Sequence, residues 1–344
     1  MSKHHNRQIQ ATLFASFLIV WVCPAIAQPI PSGTTIPIEH VAGPDGTWDF
    51  LTFDQQRQVV YLARSNGVTR LDLARKAIST FPLSAKTRIA LPINDGRELL
   101  VTAGEAGAMI MNAETGAVRI AVIPTGHKAD SAFFDPDTKE IWVLDNDGGG
   151  IAVVDPQSGT IKARIGVDGD LESAALDGHG LVYITVEDKR EIAVFDLKAR
   201  ARVRTIPISE CDGPTGLALD LPSKRLVALC ADGKAQVVDA EHGTILSSLP
   251  IGLRPDVAIY NPSTRLVYAP TGGNGSMTVI DPIRLSIREV LLTGPSARTG
   301  AVDARTGTIF LPSGTFVASP IAGQRPTLMP GSFNFLLVKT TNPD

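Results

Sequence analysis

The stretch TGLALDLPSKRLVALCADGKAQVVDAEHGTILSSLP (residues 215–250) contains four short apolar segments, namely TGLALD, RLVALC, AQVVD and TILSSLP. Polar turns such as LPSK and AEHG separate these segments. Short apolar runs bounded by Gly, Pro, Asp and Ser are typical of β-strands joined by tight turns. The stretch therefore predicts four consecutive strands.

This four-segment unit recurs along the chain at a nearly constant spacing. The first segment of each unit ends in an acid or an amide, at Asp54, Asn94, Asp135, Asp177, Asp220, Asn261 and Asp303. Successive ends are 40, 41, 42, 43, 41 and 42 residues apart. In the first six units a second such residue follows after 18 to 20 positions, at Asp72, Asn112, Asp155, Asp196, Asp239 and Asp281. We expect these side chains to close turns by bonding to their own backbone, which is a structural role.

A period of about 40 to 45 residues with four strands per unit is the spacing of β-propeller blades. We therefore predict an all-β fold in which residues 28–344 form one domain, a seven-bladed β-propeller of four-stranded antiparallel blades. The seventh unit lacks a fourth strand, whereas TTIPIEHVA (residues 34–42) resembles a closing strand. We expect residues 34–42 to pair beside residues 333–339, because this pairing closes the ring and removes both sheet edges.

The first 27 residues have the composition of an export signal. Lys3 and Arg7 precede the apolar run ATLFASFLIVWVCPAIA, and Ala25 and Ala27 fit a small-x-small cleavage site. We predict a signal peptide over residues 1–27 and a periplasmic or secreted mature protein without a membrane span. An uncleaved membrane anchor is the alternative, which the shortness of the apolar run disfavours.

The charge balance argues against nucleic acid as a partner. The formal net charge is −3, and removal of Lys3 and Arg7 with the signal peptide changes it to −5. Affinity for nucleic acid depends on Lys and Arg side chains that neutralise phosphates, so a mildly acidic protein is a poor candidate. We expect a monomer that binds a small ligand or a protein partner.

Several phrases resemble the bacterial YVTN-type (YncE-like) β-propeller family, over essentially the whole mature chain. They are TWDFLTFD, RQVVYLAR, DLESAALDGHGLVYITVEDKREIAVFD, CDGPTGLALDLPSKRLVALCADGK and SARTGAVDARTGTIFLPS. The resemblance implies a secreted or periplasmic seven-bladed propeller and no particular reaction, since the family has none in common. The second unit, ALPINDGRELLVTAGEAGAMIMN, departs most from the pattern because no acid precedes its inner strand.

The candidate site comes from one repeated position. Counting back five residues from each first-segment end gives Asp49, Ile89, Asp130, Glu172, Thr215, Asp256 and Arg298. Inner strands of a propeller line the central channel, so these positions should converge at its mouth. Four acids facing one another need a counter-charge or raised pKa values, and hard oxygen ligands favour calcium, magnesium or manganese. Asp49, Asp130, Glu172 and Asp256 are therefore candidate metal ligands; the alternative is that they are solvated loop acids.

Further candidates lie near this ring in sequence. The residues expected to contribute to a ligand-binding shell are Trp48, Arg88, His127, Asp212 and Arg254. A second tier, ten residues after the first-segment ends, comprises Arg64, Asp145 and Glu187. The connection Gly314–Ser332 is expected on the mouth side, either as a cover over the channel or as a plain insertion.

Cys211 and Cys230 are expected on the same face of the fifth blade. Two cysteines on one face of an exported chain predict a disulfide, and two free thiols are the alternative. A zinc site is disfavoured because the chain has no Cys-x-x-Cys pair.

Two functions are compatible with these sequence features. The first is a non-enzymatic propeller that binds a small ligand, a cation or a protein partner at the channel mouth. The second is a metal-dependent, lactonase-like hydrolase, in which a cation held by the carboxylates polarises a carbonyl and His127 or Glu172 acts as general base. An electron-transfer role is disfavoured, because the sequence has no cofactor-attachment motif.

Overall fold

The computed structural model describes residues 33–319 and 323–340. Seven blades of four antiparallel strands follow one another along the chain, so the predicted seven-bladed β-propeller is confirmed. The predicted signal peptide, residues 1–27, lies outside the described residues. Within the described residues, no helix has the length and hydropathy needed to cross a membrane.

Each blade runs outward from the central channel. The innermost strands of blades 1 to 7 are Trp48–Asp54, Ala90–Ile93, Ala129–Asp135, Leu171–Leu176, Pro214–Asp220, Ile259–Asn261 and Ala301–Asp303. The second strands are Val59–Arg64, Glu98–Thr102, Glu140–Asp145, Leu181–Val186, Arg225–Cys230, Leu266–Thr271 and Thr308–Ser313. The third strands are Gly67–Asp72, Ala108–Asn112, Gly150–Val154, Glu191–Asp196, Lys234–Asp239, Ser276–Asp281 and Asn334–Lys339. The outer strands are Ala77–Pro82, Val118–Ile123, Ile161–Gly166, Ala201–Pro207, Ile245–Pro250, Ser286–Leu292 and Ile38–Ala42.

Blade 7 takes its outer strand from the beginning of the described chain. Ile38 pairs with Val338 and Ala42 with Asn334 in antiparallel register, as predicted. The predicted closing strand is shorter than expected, because Thr34–Thr35 pair in parallel with the outer strand of blade 6. The first strands therefore contact two blades and join the ends of the ring.

Three minor elements complete the description. A 3-10 turn, Leu221–Ser223, follows the inner strand of blade 5. Between the last two strands of blade 7, Phe316–Val317 pair with Thr327–Leu328 in a short hairpin.

Most of the repeated Asp and Asn residues close turns, as expected. Asp54 Oδ1 accepts hydrogen bonds from the backbone N–H groups of Gln56 and Arg57, both at 3.0 Å. Asp220 differs, because Arg265 Nη2 of the next blade donates to its carboxylate at 2.7 Å. This buried side chain therefore joins two blades.

Inner strands contain small residues where blades meet near the axis. A Cβ atom on Gly216 of blade 5 would lie 2.6 Å from the backbone nitrogen of Ala258, next to blade 6. Farther out the blades diverge and larger side chains fill the space between them. Trp142 of blade 3 is fully buried, with its ring centroid 5.8 Å from that of Phe133 and 6.5 Å from that of Phe195 in blade 4. The core therefore lies between the blades, around the channel.

Candidate functional site

The inner strand of each blade begins where the second strand ends, as the pairings Trp48 with Arg64 and Pro214 with Cys230 illustrate. This end of the channel, here called the mouth, contains a cavity of about 290 Å³. The residues that line it are Asp49, Phe50, Lys86, Arg88, Lys128, Asp130, Asn146, Glu172, Asp256, Arg298 and Arg325. The structure thus brings the four repeated-position acids and Arg298 together.

Arg88 is the residue that lines the mouth at blade 2. Its Nη1 lies 3.0 Å from Asp49 Oδ2, and its Nε lies 3.4 Å from Asp130 Oδ1. Ile89, the residue found by counting, is buried and faces the apolar channel below the cavity. The inner strand of this blade begins only at Ala90, so the position facing the mouth is one residue earlier.

Glu172 is the acid that the inner strand of blade 4 contributes to the mouth. Asn146 Nδ2 of blade 3 donates a hydrogen bond to Glu172 Oε1, and the Glu187 side chain lies beside the same carboxyl group. Burial raises the pKa of Glu172, and the nearby carboxylates of Asp130 and Glu187 raise it further. These surroundings favour the neutral form of the Glu172 carboxyl group.

The other three acids also have raised pKa values. Burial is the largest cause in each case, since it disfavours the charged form. It raises the pKa of Asp130 to about 6 and that of Asp256 to about 7. Arg298 Nε, 3.4 Å from Asp256 Oδ2, lowers the pKa of Asp256 but does not cancel the effect of burial. The pKa of Asp49 is raised as well, despite its contact with Arg88.

Below the charged cavity the channel becomes apolar. A second cavity of about 190 Å³ is lined by side chains such as Leu51, Ile89 and Val257. Phe50 and Glu172 line both cavities and mark the boundary between them. The mouth is therefore a polar basin over an apolar channel.

Four of the predicted shell residues do not line the mouth cavity. His127 is exposed and lines a separate cavity with Glu105 and Asp147. Asp212 is largely exposed and pairs with Arg190 at 2.6 Å. Arg254 is exposed, and its carbonyl oxygen accepts a hydrogen bond from Gly272 at 3.2 Å.

Trp48 is the fourth of these residues, and it packs between aromatic rings. Its centroid lies 5.4 Å from that of Phe316 and 5.2 Å from that of Phe333. Phe316 belongs to the hairpin in the long connection, and Arg325 of the same connection lines the mouth cavity. The described part of this connection therefore lies on the mouth side, as expected.

The second tier has mainly structural contacts, apart from Glu187. Arg64 is buried, its guanidinium lies 4.2 Å from the ring centroid of Phe333, and burial lowers its pKa to about 10. Asp145 accepts hydrogen bonds from the backbone N–H groups of Lys128 and Asp147. These contacts hold the loops around the mouth.

Sequence reasoning did not identify Lys86, Lys128, Asn146 and Arg325 as lining residues. Lys86 and Lys128 each lie two positions before a lining residue, Arg88 and Asp130, so a wider window in the entry loops would have included them. Asn146 directly follows Asp145 of the second tier, so the same wider window would have included it. Arg325 belongs to the long connection, and only the fold brings it to the cavity.

The predicted disulfide is confirmed. Cys211 and Cys230 are bonded, with Cα atoms 5.1 Å apart, and both side chains are fully buried. The bond joins the entry loop of blade 5 to the end of its second strand. It therefore ties a mouth loop to the sheet.

Among residues 33–319 and 323–340, no three His, Cys, Asp or Glu side chains form a group that could hold a metal ion. Arg88 contacts both Asp49 and Asp130, and Arg298 contacts Asp256. These guanidinium groups supply counter-charge that the four acids were expected to need. The four-carboxylate metal site stays a prediction, without support from this arrangement.

Comparisons with known proteins support the fold only. No family model matches the chain, and no curated protein matches it. The chain is similar to a solved structure titled "Crystal Structure of Mitotic Checkpoint Complex", with a TM-score of 0.72 and 12% identity over 97% of this chain and 99% of that one. The structural likeness shows a shared propeller fold, which is consistent with ligand or protein binding, and at this low identity it shows nothing more. The YVTN-type resemblance therefore rests on the sequence.

Proposed function

We propose that this chain is an exported, non-catalytic β-propeller of the YVTN type that binds a small polar ligand at the mouth of its channel. The mouth cavity carries this proposal, because nine ionisable side chains line about 290 Å³. Burying charges is costly, and groups with perturbed pKa values concentrate at functional sites. An arrangement that only stabilised the fold would be better served by apolar side chains at these positions.

Two features support export. The basic and apolar leader ends in Ala25-Ile-Ala27, the pattern of a cleaved signal peptide. The Cys211–Cys230 disulfide favours an oxidising compartment, since disulfides are rare in cytosolic proteins. Expression of the full sequence in a bacterium should yield periplasmic protein whose N-terminal residue is Gln28. Retention of residues 1–27 on the purified protein would contradict cleavage.

Ligand binding is tested by thermal melting with small anionic, cationic and neutral compounds. We expect at least one class to raise the melting temperature, because a ligand that binds only the folded state stabilises it. Lys128→Glu, at the mouth, should change the response. Lys198→Glu, in an exposed turn beyond the Glu191–Asp196 strand at the opposite end of blade 4, should leave it unchanged. No stabilisation by any of the three classes would contradict the proposal.

A further inference from the structure

The acids of the mouth cavity already have partners in the cavity wall. Arg88 contacts Asp49 and Asp130, and Arg298 contacts Asp256. The fourth acid, Glu172, accepts a hydrogen bond from Asn146. Every carboxyl group of the lining is therefore satisfied by the protein itself.

Three cationic side chains of the lining have no such partner. Lys86, Lys128 and Arg325 line the cavity, and none of them has a carboxylate oxygen within 4.0 Å among the described residues. Lys128 Nζ donates to Asn146 Oδ1 at 2.5 Å, which leaves its charge uncompensated. Their positive charges face the same space.

The overall balance of the lining has the same sign. Five cations, Lys86, Arg88, Lys128, Arg298 and Arg325, face four acids. With all four lining acids ionised the lining carries an excess of one positive charge. Glu187 beside Glu172 is a fifth acid, but burial raises the pKa of Glu172 and favours its neutral form, which keeps the excess. The acids thus orient the arginines, while the unpaired cations attract negative charge.

Three of the five cations are grouped on one side of the mouth, and Arg325 of the long connection lies close enough to Lys86 to lower the pKa of that lysine. Lys86 and Arg88 enter from the loop before blade 2, and Lys128 enters from the loop before blade 3. The Asp256–Arg298 pair lies at blades 6 and 7, so it is separated from this group around the ring. An anionic group can therefore contact the lysines without approaching Asp256.

We infer that the mouth cavity binds a small organic anion, with carboxylate or phosphate oxygens contacting Lys86, Lys128 and Arg325. This inference rests on the proposed ligand-binding function and specifies its ligand class. A volume of about 290 Å³ corresponds to roughly ten water molecules, which suits a di- or tricarboxylate or a small phosphate ester. Lysine and arginine donors make their strongest hydrogen bonds with such charged oxygens.

The test is isothermal titration of the protein expressed from the full sequence and purified after export. The probes are succinate, citrate and inorganic phosphate, with calcium chloride and putrescine as cationic probes, all at equal ionic strength. We expect at least one anion to bind and neither cation to bind. Succinate or citrate binding without phosphate binding would assign a carboxylate ligand, and the reverse would assign a phosphate ligand.

Matched variants locate the anion. Lys128→Gln and Lys86→Gln should each weaken binding about tenfold, the effect of losing one charge-assisted hydrogen bond. Lys198→Gln removes the same charge from the opposite end of blade 4 and should leave affinity unchanged. Because Lys86 is exposed, its substitution also tests the site if Lys128→Gln fails to fold.

Four results would overturn the inference. Equal weakening by Lys198→Gln would mean a general ionic effect without a site. Binding of calcium or putrescine in place of the anions would reverse the ligand class and leave the proposed function standing. If none of these five probes binds while a neutral compound raises the melting temperature, the anion inference is contradicted and the proposed function stands. If no compound gives any response, both the inference and the proposed function are contradicted.

Discussion

Arg88 of blade 2 places its Nη1 atom 3.0 Å from Asp49 Oδ2 of blade 1. The same guanidinium lies 3.4 Å from Asp130 of blade 3, so one cation connects acids from both neighbouring blades. The carboxylates at the mouth are thus held apart and neutralised by a side chain between them. This arrangement differs from an empty ring of acids, and it makes Arg88 a stabilising residue.

Arg88→Gln should destabilise the protein by about 3 kcal/mol at neutral pH, because it leaves two largely buried carboxylates without their counter-charge. The measurement is urea unfolding. Arg97→Gln is the control, since Arg97 forms an ion pair with Asp95 in which both side chains are exposed, and its loss should cost less than about 1 kcal/mol. Equal losses in the two variants would contradict the stabilising role of Arg88.

Stability should fall as the pH rises from about 4 to about 7. The pKa values of Asp130 and Asp256 are raised to about 6 and about 7, so the folded state retains protons that the unfolded state has released over this range. Arg298 faces Asp256 and opposes the shift, whereas Asp49, Asp130 and Glu187 reinforce it. Thermal melts across this pH range measure the slope.

Asp256→Asn should flatten this pH dependence, because the amide does not titrate. Asp212→Asn is the control, since Asp212 is largely exposed and its substitution should preserve the slope. Stability that rises from pH 4 to pH 7 in the wild type, or a slope unaffected by Asp256→Asn, would show that burial does not raise these pKa values.

Replacing Cys211 and Cys230 together with alanine should lower the free energy of unfolding by about 3 kcal/mol, because the bond restricts the unfolded chain. Urea unfolding measures the loss, and the reduced wild type should match the double variant. Mass spectrometry of the native protein without reductant should find two protons fewer than the reduced chain. Free alkylation of both thiols in exported material would contradict the disulfide.

A chain that begins at residue 43 should lose cooperative unfolding, because Asn334–Lys339 would no longer have Ile38–Ala42 as its outer neighbour. A chain that begins at residue 37 keeps this pairing and loses only Thr34–Thr35, so it should remain folded. Circular dichroism during thermal melting distinguishes the two. Identical cooperative melts for both chains would mean that this strand is not needed for closure.

The fold was predictable because its determinants are local and repeated. Each blade is a meander of strands close in sequence, and side chains such as Asp54 close turns within three residues. The repeat then places Asp49, Asp130, Glu172 and Asp256 at equivalent positions, so their convergence follows from approximate symmetry. The disulfide was predictable for the same reason, since both cysteines belong to one blade.

The sequence by itself determined the seven blades, the closing strand and the acids at the mouth. Only the tertiary structure decided that Arg88 replaces Ile89 there, that Trp48, His127, Asp212 and Arg254 do not line the cavity, and that Lys86, Lys128, Asn146 and Arg325 do. Strand patterns depend on neighbours along the chain, whereas charge compensation depends on side chains brought together by different blades and by the long connection. The sign of the charge at the mouth is therefore a property of the assembled ring.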